Sequence, residues 1–139
     1  MVELNWLAIF LAAVSTMIVG SIWYGPLFGK KWEKLAKIKP DKDFNGKKAA
    51  VMYVGAFVTS LITAIIIAYM AYIANRTFHN SFIQDAVVVS ILLWLGFTAA
   101  RIYMHDSFER RPRELTALSV SHEFVTIVIM ATIIGLFPL

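Results

Sequence analysis

Residues 49–74 read AAVMYVGAFVTSLITAIIIAYMAYIA. The run holds no charged side chain, and at ~1.5 Å per residue a helix of this length outreaches the ~30 Å hydrocarbon core of a bilayer. Three further apolar stretches accompany it, Leu4–Trp23, Phe82–Arg101 and Leu115–Leu139. Each is near the ~20 residues that a spanning helix needs. Hydrophobic residues make up 59% of the 139-residue chain and charged residues 16%, against roughly 45–50% and 25% in soluble domains. A water-soluble domain of this size has no core large enough for that much apolar surface. The pattern predicts an all-α integral membrane protein with one domain over residues 1–139. Its architecture is a four-helix transmembrane bundle with spans at about 4–24, 49–74, 82–107 and 114–138. The first span is not a cleaved signal peptide, because its only early charge is Glu3 and its apolar run is too long.

Charge placement sets the orientation. Eight lysines fall between Lys30 and Lys48, and Arg110, Arg111 and Arg113 lie between the third and fourth stretches. The loop at residues 75–81 carries only Arg76. The positive-inside rule therefore puts loops 25–48 and 107–114 in the cytoplasm and both chain ends outside. Only an even number of spans allows this, so charge and hydropathy agree on four. The net charge of +4 resides in these loops, which points to the lipid bilayer and its anionic headgroups as partners and not to nucleic acid. The absence of cysteine removes disulfides, thiolate metal sites and thiol redox chemistry.

After the first span comes Gly25-Pro26-Leu27-Phe28-Gly29-Lys30-Lys31-Trp32-Glu33-Lys34-Leu35-Ala36-Lys37-Ile38-Lys39-Pro40. Phe28, Trp32, Leu35 and Ile38 recur at helical spacing, with Lys30, Lys31, Lys34 and Lys37 around them. These features predict a short interfacial amphipathic helix at about 26–39, begun by Pro26 and stopped by Pro40. Trp32 and its apolar neighbours face the lipid, and the lysines face the headgroups.

Small residues at helical spacing mark two further faces: Ala8, Ala12, Thr16 and Gly20 on the first span, and Ala56, Ser60, Ala64 and Ala68 on the second, beside Gly55, Thr59 and Thr63. Such faces let backbones approach in lipid, either inside the bundle or between copies, and a homo-oligomer is expected. The two hairpin loops differ in length and composition, so no internal repeat supports an inverted-repeat transporter within one chain.

Ionisable residues within spans are costly and point to function. Measured from the helix ends at ~1.5 Å per residue, Arg101 lies about 10 Å inward, His122 about 12 Å and Glu123 about 13 Å. Spans three and four are antiparallel neighbours, which predicts an Arg101–Glu123 ion pair. Thr116, Ser119, Glu123 and Thr126 share one face of the last span, with His122 one step round from it. The alternative to a ligand or ion path is an interhelical lock that fixes register. A metal shared by His105-Asp106 and His122-Glu123 is not expected, because the two imidazoles differ by some 7 Å in level. The chain has no H-E-x-x-H, nucleophile elbow or glycine-rich phosphate loop, so no catalytic residues and no cofactor are assigned. Asn75-Arg76-Thr77 fits the glycosylation acceptor pattern but sits against the membrane, where it is coincidental.

Asn5-Trp6, then Trp23-Tyr24-Gly25-Pro26-Leu27-Phe28-Gly29-Lys30-Lys31-Trp32, then Trp94-Leu95-Gly96-Phe97, and a histidine early in the last span, His122, together resemble a family of small four-span prokaryotic membrane proteins catalogued only as a domain of unknown function. The resemblance covers the whole chain. It implies the four-helix fold and the inner membrane of a prokaryote, and it singles out Trp23, Tyr24 and His122 without lending an activity. The pattern departs at Ser121-His122-Glu123, where the family has an aromatic before the histidine and no acid after it.

Trp23, Tyr24, Arg101, Ser119, His122, Glu123 and Thr126 all fall towards the cytoplasmic side, which predicts a pocket there with aromatic walls and an ionisable floor. The function expected first is transport or permeation of a small solute or ion, proton-linked through His122 and Glu123. The alternatives are an amphiphile-binding or lipid-modifying protein walled by Trp23, Tyr24 and Trp94, and a structural subunit of a membrane complex.

Overall fold

The computed structural model describes residues 3–138; Met1, Val2 and Leu139, the last residue of the fourth apolar stretch, lie outside it. Asn5 starts the first helix, its side-chain oxygen accepting the Ala8 amide at 3.0 Å and so satisfying one of the free donors at a helix N-terminus. This helix, α1 (Trp6–Ile22), widens into a π turn at Trp23–Leu27. Within the turn Gly25 leaves helical geometry (φ −105°, ψ −105°) beside Pro26. A short helix α2 (Gly29–Ala36) follows and ends at Lys37 in the left-handed region (φ 52°), a common way to terminate a helix. It is shorter than the expected 26–39 because Pro26 is taken up in the turn that ends the first span. Gly29 is obligatory there, since a Cβ would sit 2.6 Å from the Tyr24 carbonyl oxygen.

Helix α3 (Gly46–Phe78), capped by Asn45 on the Lys48 amide at 3.0 Å, runs 33 residues, or about 50 Å. Helix α4 (Phe82–Leu93), a second π turn at Trp94–Ala99 and α5 (Ala100–Phe108) form one continuous third span. Helix α6 (Arg113–Leu136) is the fourth. Among the described residues there is no strand, and four helices are long and apolar enough to cross a membrane. The protein is an all-helical membrane protein.

The spans pack in a ring in chain order, α1 on α3, α3 on α4, α4 on α6 and α6 back on α1. The two ends of this ring are built differently. At the end carrying the chain termini, Ile9, Ala12, Ala64, Ile67, Ala68, Met130, Ala131 and Ile134 form a closed core. Small side chains suit this place, because lipid gives helices no hydrophobic reason to associate and close backbone approach must supply the contact. The approach is closest at Gly135, where a Cβ would lie 2.6 Å from the Cα of Ile83. Asn5 Nδ2 donates to the Phe137 carbonyl at 3.2 Å and ties the two chain ends together. The buried Asp85 carboxylate accepts from Asn75 Nδ2 (3.1 Å) and Asn80 Nδ2 (3.0 Å), so Asn75 serves as a clasp across the hairpin.

At the other end, which carries the basic loops, buried Asp106 accepts from Thr116 Oγ1 at 2.7 Å, with Arg111 Nε at 3.8 Å. Lys31 of α2 meets Glu114 at the start of α6 at 3.1 Å. The first half of α3 takes no part in this closure. Val51, Met52, Tyr53 and Val54 are consecutive and each at least 62% exposed. Four successive residues go all the way round a helix, so no side of α3 is tightly packed at that level.

Candidate functional site

Where α3 stands off, the bundle opens into a cleft of about 880 Å³ between the second half of α1, the first half of α3, the second π turn and the middle of α6. The Thr16 and Ser60 hydroxyls, 2.7 Å apart, join α1 to α3 at its closed end. Both belong to the small-residue faces expected to pack, and so do Thr59 and Thr63, which also line the cleft.

His122 lies on its wall. One ring nitrogen, Nδ1, is 3.3 Å from the Glu123 carboxylate, and the other, Nε2, is 3.5 Å from Thr126 Oγ1. Aromatic rings pack the imidazole from α1: Tyr24 at 4.8 Å and Trp23 at 5.8 Å between centroids. Tyr24 in turn meets Trp32 of α2 at 5.1 Å. On the opposite wall Trp94 donates its indole N–H to the Val120 carbonyl at 3.2 Å and packs on Phe124 at 4.8 Å. The His122 side chain is 12% exposed and that of Glu123 46%. The imidazole is thus packed and oriented while the carboxylate remains open to the cleft.

Of the site residues expected from sequence, Tyr24, His122, Glu123 and Thr126 line the cleft. Ser119 is half-buried behind it, with Tyr24 as its neighbour. Trp23 backs His122, and its indole N–H is buried with no acceptor among the described residues.

Arg101 is a correction. It is exposed, its guanidinium rests 3.8 Å from the Met104 sulfur, and Glu123 pairs with His122 instead. The cause is the π turn at Trp94–Ala99. On an unbroken α-helix Arg101 would share the buried face of Ser90, about three turns earlier. A π turn takes up about one extra residue and rotates everything beyond it by roughly 100°. Half-buried Ile102 therefore takes that direction, and Arg101 swings outward.

Trp32 is a second correction. Expected to face lipid, it lines the cleft, because the turn at Gly25 folds α2 back over Tyr24. Lys30, Lys34 and Lys37 are exposed, and Lys31 is exposed too while pairing with Glu114. Tyr53 and Thr98 are cleft residues that sequence reasoning passed over. Thr59 and Thr63 were visible in sequence as hydroxyls one turn apart in an otherwise apolar span, a spacing that marks a polar stripe as well as a packing face. Among the described residues no three of His, Asp and Glu gather closely enough to hold a metal ion.

The two aromatic motifs quoted above, Trp23-Tyr24-Gly25-Pro26-Leu27 and Trp94-Leu95-Gly96-Phe97, coincide with the two π turns. Such turns occur often at functional sites, and here they contribute residues to opposite walls of one cleft. A family model described as a protein of unknown function (DUF1761) matches residues 7–135. No curated protein matches the chain, and no solved structure does.

Proposed function

The chain belongs to the DUF1761 family of proteins of unknown function, and from its own geometry we propose that it is a proton-linked carrier of small amphiphilic solutes. The observation that carries this reading is the contrast along the bundle axis: one end is sealed by the core around Ala64 and Met130, and the other opens into a cleft with an ionisable pair on its wall. A volume of about 880 Å³ lies within the ~300–1,000 Å³ of small-molecule sites. With the basic loops in the cytoplasm, as their charge requires, the cleft faces the cell interior. His122 touches the Glu123 carboxylate at 3.3 Å, and a proton held between the two can leave as solute arrives and return as it goes. Tyr24, Tyr53 and Arg101 are the other ionisable groups near this level. Arg101 points away, leaving the pair to respond to the cleft alone.

Proteoliposomes loaded with a pH-sensitive dye and challenged with a panel of small amphiphiles test this directly. At least one solute is expected to move protons in wild type, and the double variant His122→Ala/Glu123→Gln is expected to lose that signal. Flux unchanged in the double variant overturns the proposal.

A second reading follows from the sealed end. A protein that only binds an amphiphile needs no exit beyond Thr16 and Ser60, where Ile9, Ile67 and Met130 fill the space. Lipid retained through purification and detected by native mass spectrometry, with no flux in wild type, selects this reading.

A further inference from the structure

Among the described residues Glu123 has no lysine or arginine partner, although a carboxylate within a membrane needs a compensating cation. Among the described residues lining the cleft it is the only acid, and no lysine or arginine joins it there. Arg101, the cation expected to pair with it, lies against Met104, and Lys31 of α2 is held by Glu114. Among the described residues the one ion-pair partner within 4 Å of its carboxylate is His122, 3.3 Å away, which supplies a positive charge when protonated. Around this acid the wall is aromatic, with Tyr24, Trp32, Phe44, Tyr53 and Trp94. Aromatic faces attract cations, more strongly where water is excluded, and the Met17, Met52 and Met130 side chains that complete the lining adapt to varied apolar shapes.

We infer that the cleft selects organic cations with an apolar body, whose charge replaces the His122 proton as the partner of Glu123. This rests on the cleft being a binding site, as proposed above. Charge balances across the exchange. Before it, imidazolium and carboxylate sum to zero; after it, a neutral imidazole, the carboxylate and a monovalent cation again sum to zero, and one proton has left for solvent. An amphiphilic anion adds a negative charge to a pair that already sums to zero, and no lysine or arginine lines the cleft to offset it. A neutral solute leaves the proton where it is. The groups that face the pair are Tyr24 from the first π turn and Thr126 from α6, with Thr98 and Trp94 across the cleft; none carries a fixed charge.

The experiment compares two ions of matched shape and opposite charge, tetraphenylphosphonium and tetraphenylborate, binding to the purified full chain in nanodiscs of zwitterionic lipid. Quenching of tryptophan fluorescence reports occupancy, and release into weakly buffered solution counts protons. The phosphonium is expected to bind at least about tenfold more tightly than the borate and about tenfold more tightly at pH 8 than at pH 5.5, releasing close to one proton per ion. Glu123→Gln is expected to weaken it about tenfold and to remove the pH dependence, with the thermal midpoint recorded to confirm folding. Arg101→Ala is expected to bind like wild type. Equal binding of both ions, or an unchanged affinity in a folded Glu123→Gln protein, overturns cation selection while leaving the cleft a binding site. Binding of neither ion overturns cation selection as well, and if no other amphiphile binds, the carrier reading falls with it.

Discussion

On the terminal side of the Thr16–Ser60 hydrogen bond, α3 presents Ala64, Ala68, Ala71 and Ala74 to its neighbours, all buried; on the other side the same helix presents Val51, Met52, Tyr53 and Val54, all exposed. The helix is unbroken, and no charged side chain lies between Ala49 and Ala74. Packing, not hydrophobicity, separates the two halves. In lipid an apolar surface gains little by turning inward, and helices join where small residues let their backbones meet. Beyond Ser60 the joint ends and the cleft begins, although Thr59 and Ala56 keep that face small. Hydropathy alone therefore locates the spans but is blind to where a bundle is closed.

The comparison breaks most sharply at glycine. Gly135→Ala places a methyl group 2.6 Å from the Ile83 backbone, and overpacking of this kind costs about 1–3 kcal/mol. Gly55→Ala, which meets nothing within 4 Å, is expected to stay within about 0.5 kcal/mol of wild type. Reversible unfolding by denaturing detergent measures both. A penalty at Gly55 as large as that at Gly135 would mean that a second copy seals the open half.

Cavity formation gives the next effect. Ile67→Ala, in the closed core, is expected to cost about 2 kcal/mol, the low end of such substitutions in water because the transfer contribution largely vanishes in lipid. Met52→Ala, exposed beside the cleft, is expected to change stability by less than about 0.5 kcal/mol. The same unfolding assay ranks them, and an inverted order would reverse the assignment of closed and open halves.

The smallest effect belongs to the boundary itself. Thr16→Val removes the hydroxyl that meets Ser60 at 2.7 Å, and interhelical hydrogen bonds in membranes average about 0.6 kcal/mol. Stability should fall by about that amount, and hydrogen exchange at residues 56–60 of α3 should quicken. Unchanged exchange would show that the bond does not hold the two halves together.

Much of the site was legible because depth follows from counting residues. Glu123 and Thr126 share a face by spacing, His122 stands beside them, and their level in the membrane comes from the rise of a helix. Direction around the axis is less secure, since it depends on every intervening turn being regular. Arg101 was placed at the right depth and on the wrong side because the π turn at Trp94–Ala99 leaves no mark in hydrophobic periodicity. Trp32 failed for a related reason: the fold-back at Gly25 is a tertiary choice, and spacing within α2 says only that its aromatic residue has an apolar neighbour. The resemblance motifs pointed to both π turns, yet as strings of letters they carried no geometry.

The seam that closes the terminal end is built largely from Ala8, Ala12, Ala13, Ala64, Ala68, Ala71, Ala86 and Ala131. Alanine has no rotamers, so nothing in its side chain is frozen when the seam forms and nothing is freed when it parts. Swinging side chains therefore have little scope to gate that end. Opening that end requires entire helices to slide or tilt as rigid rods, a collective movement far slower than the turning of single side chains.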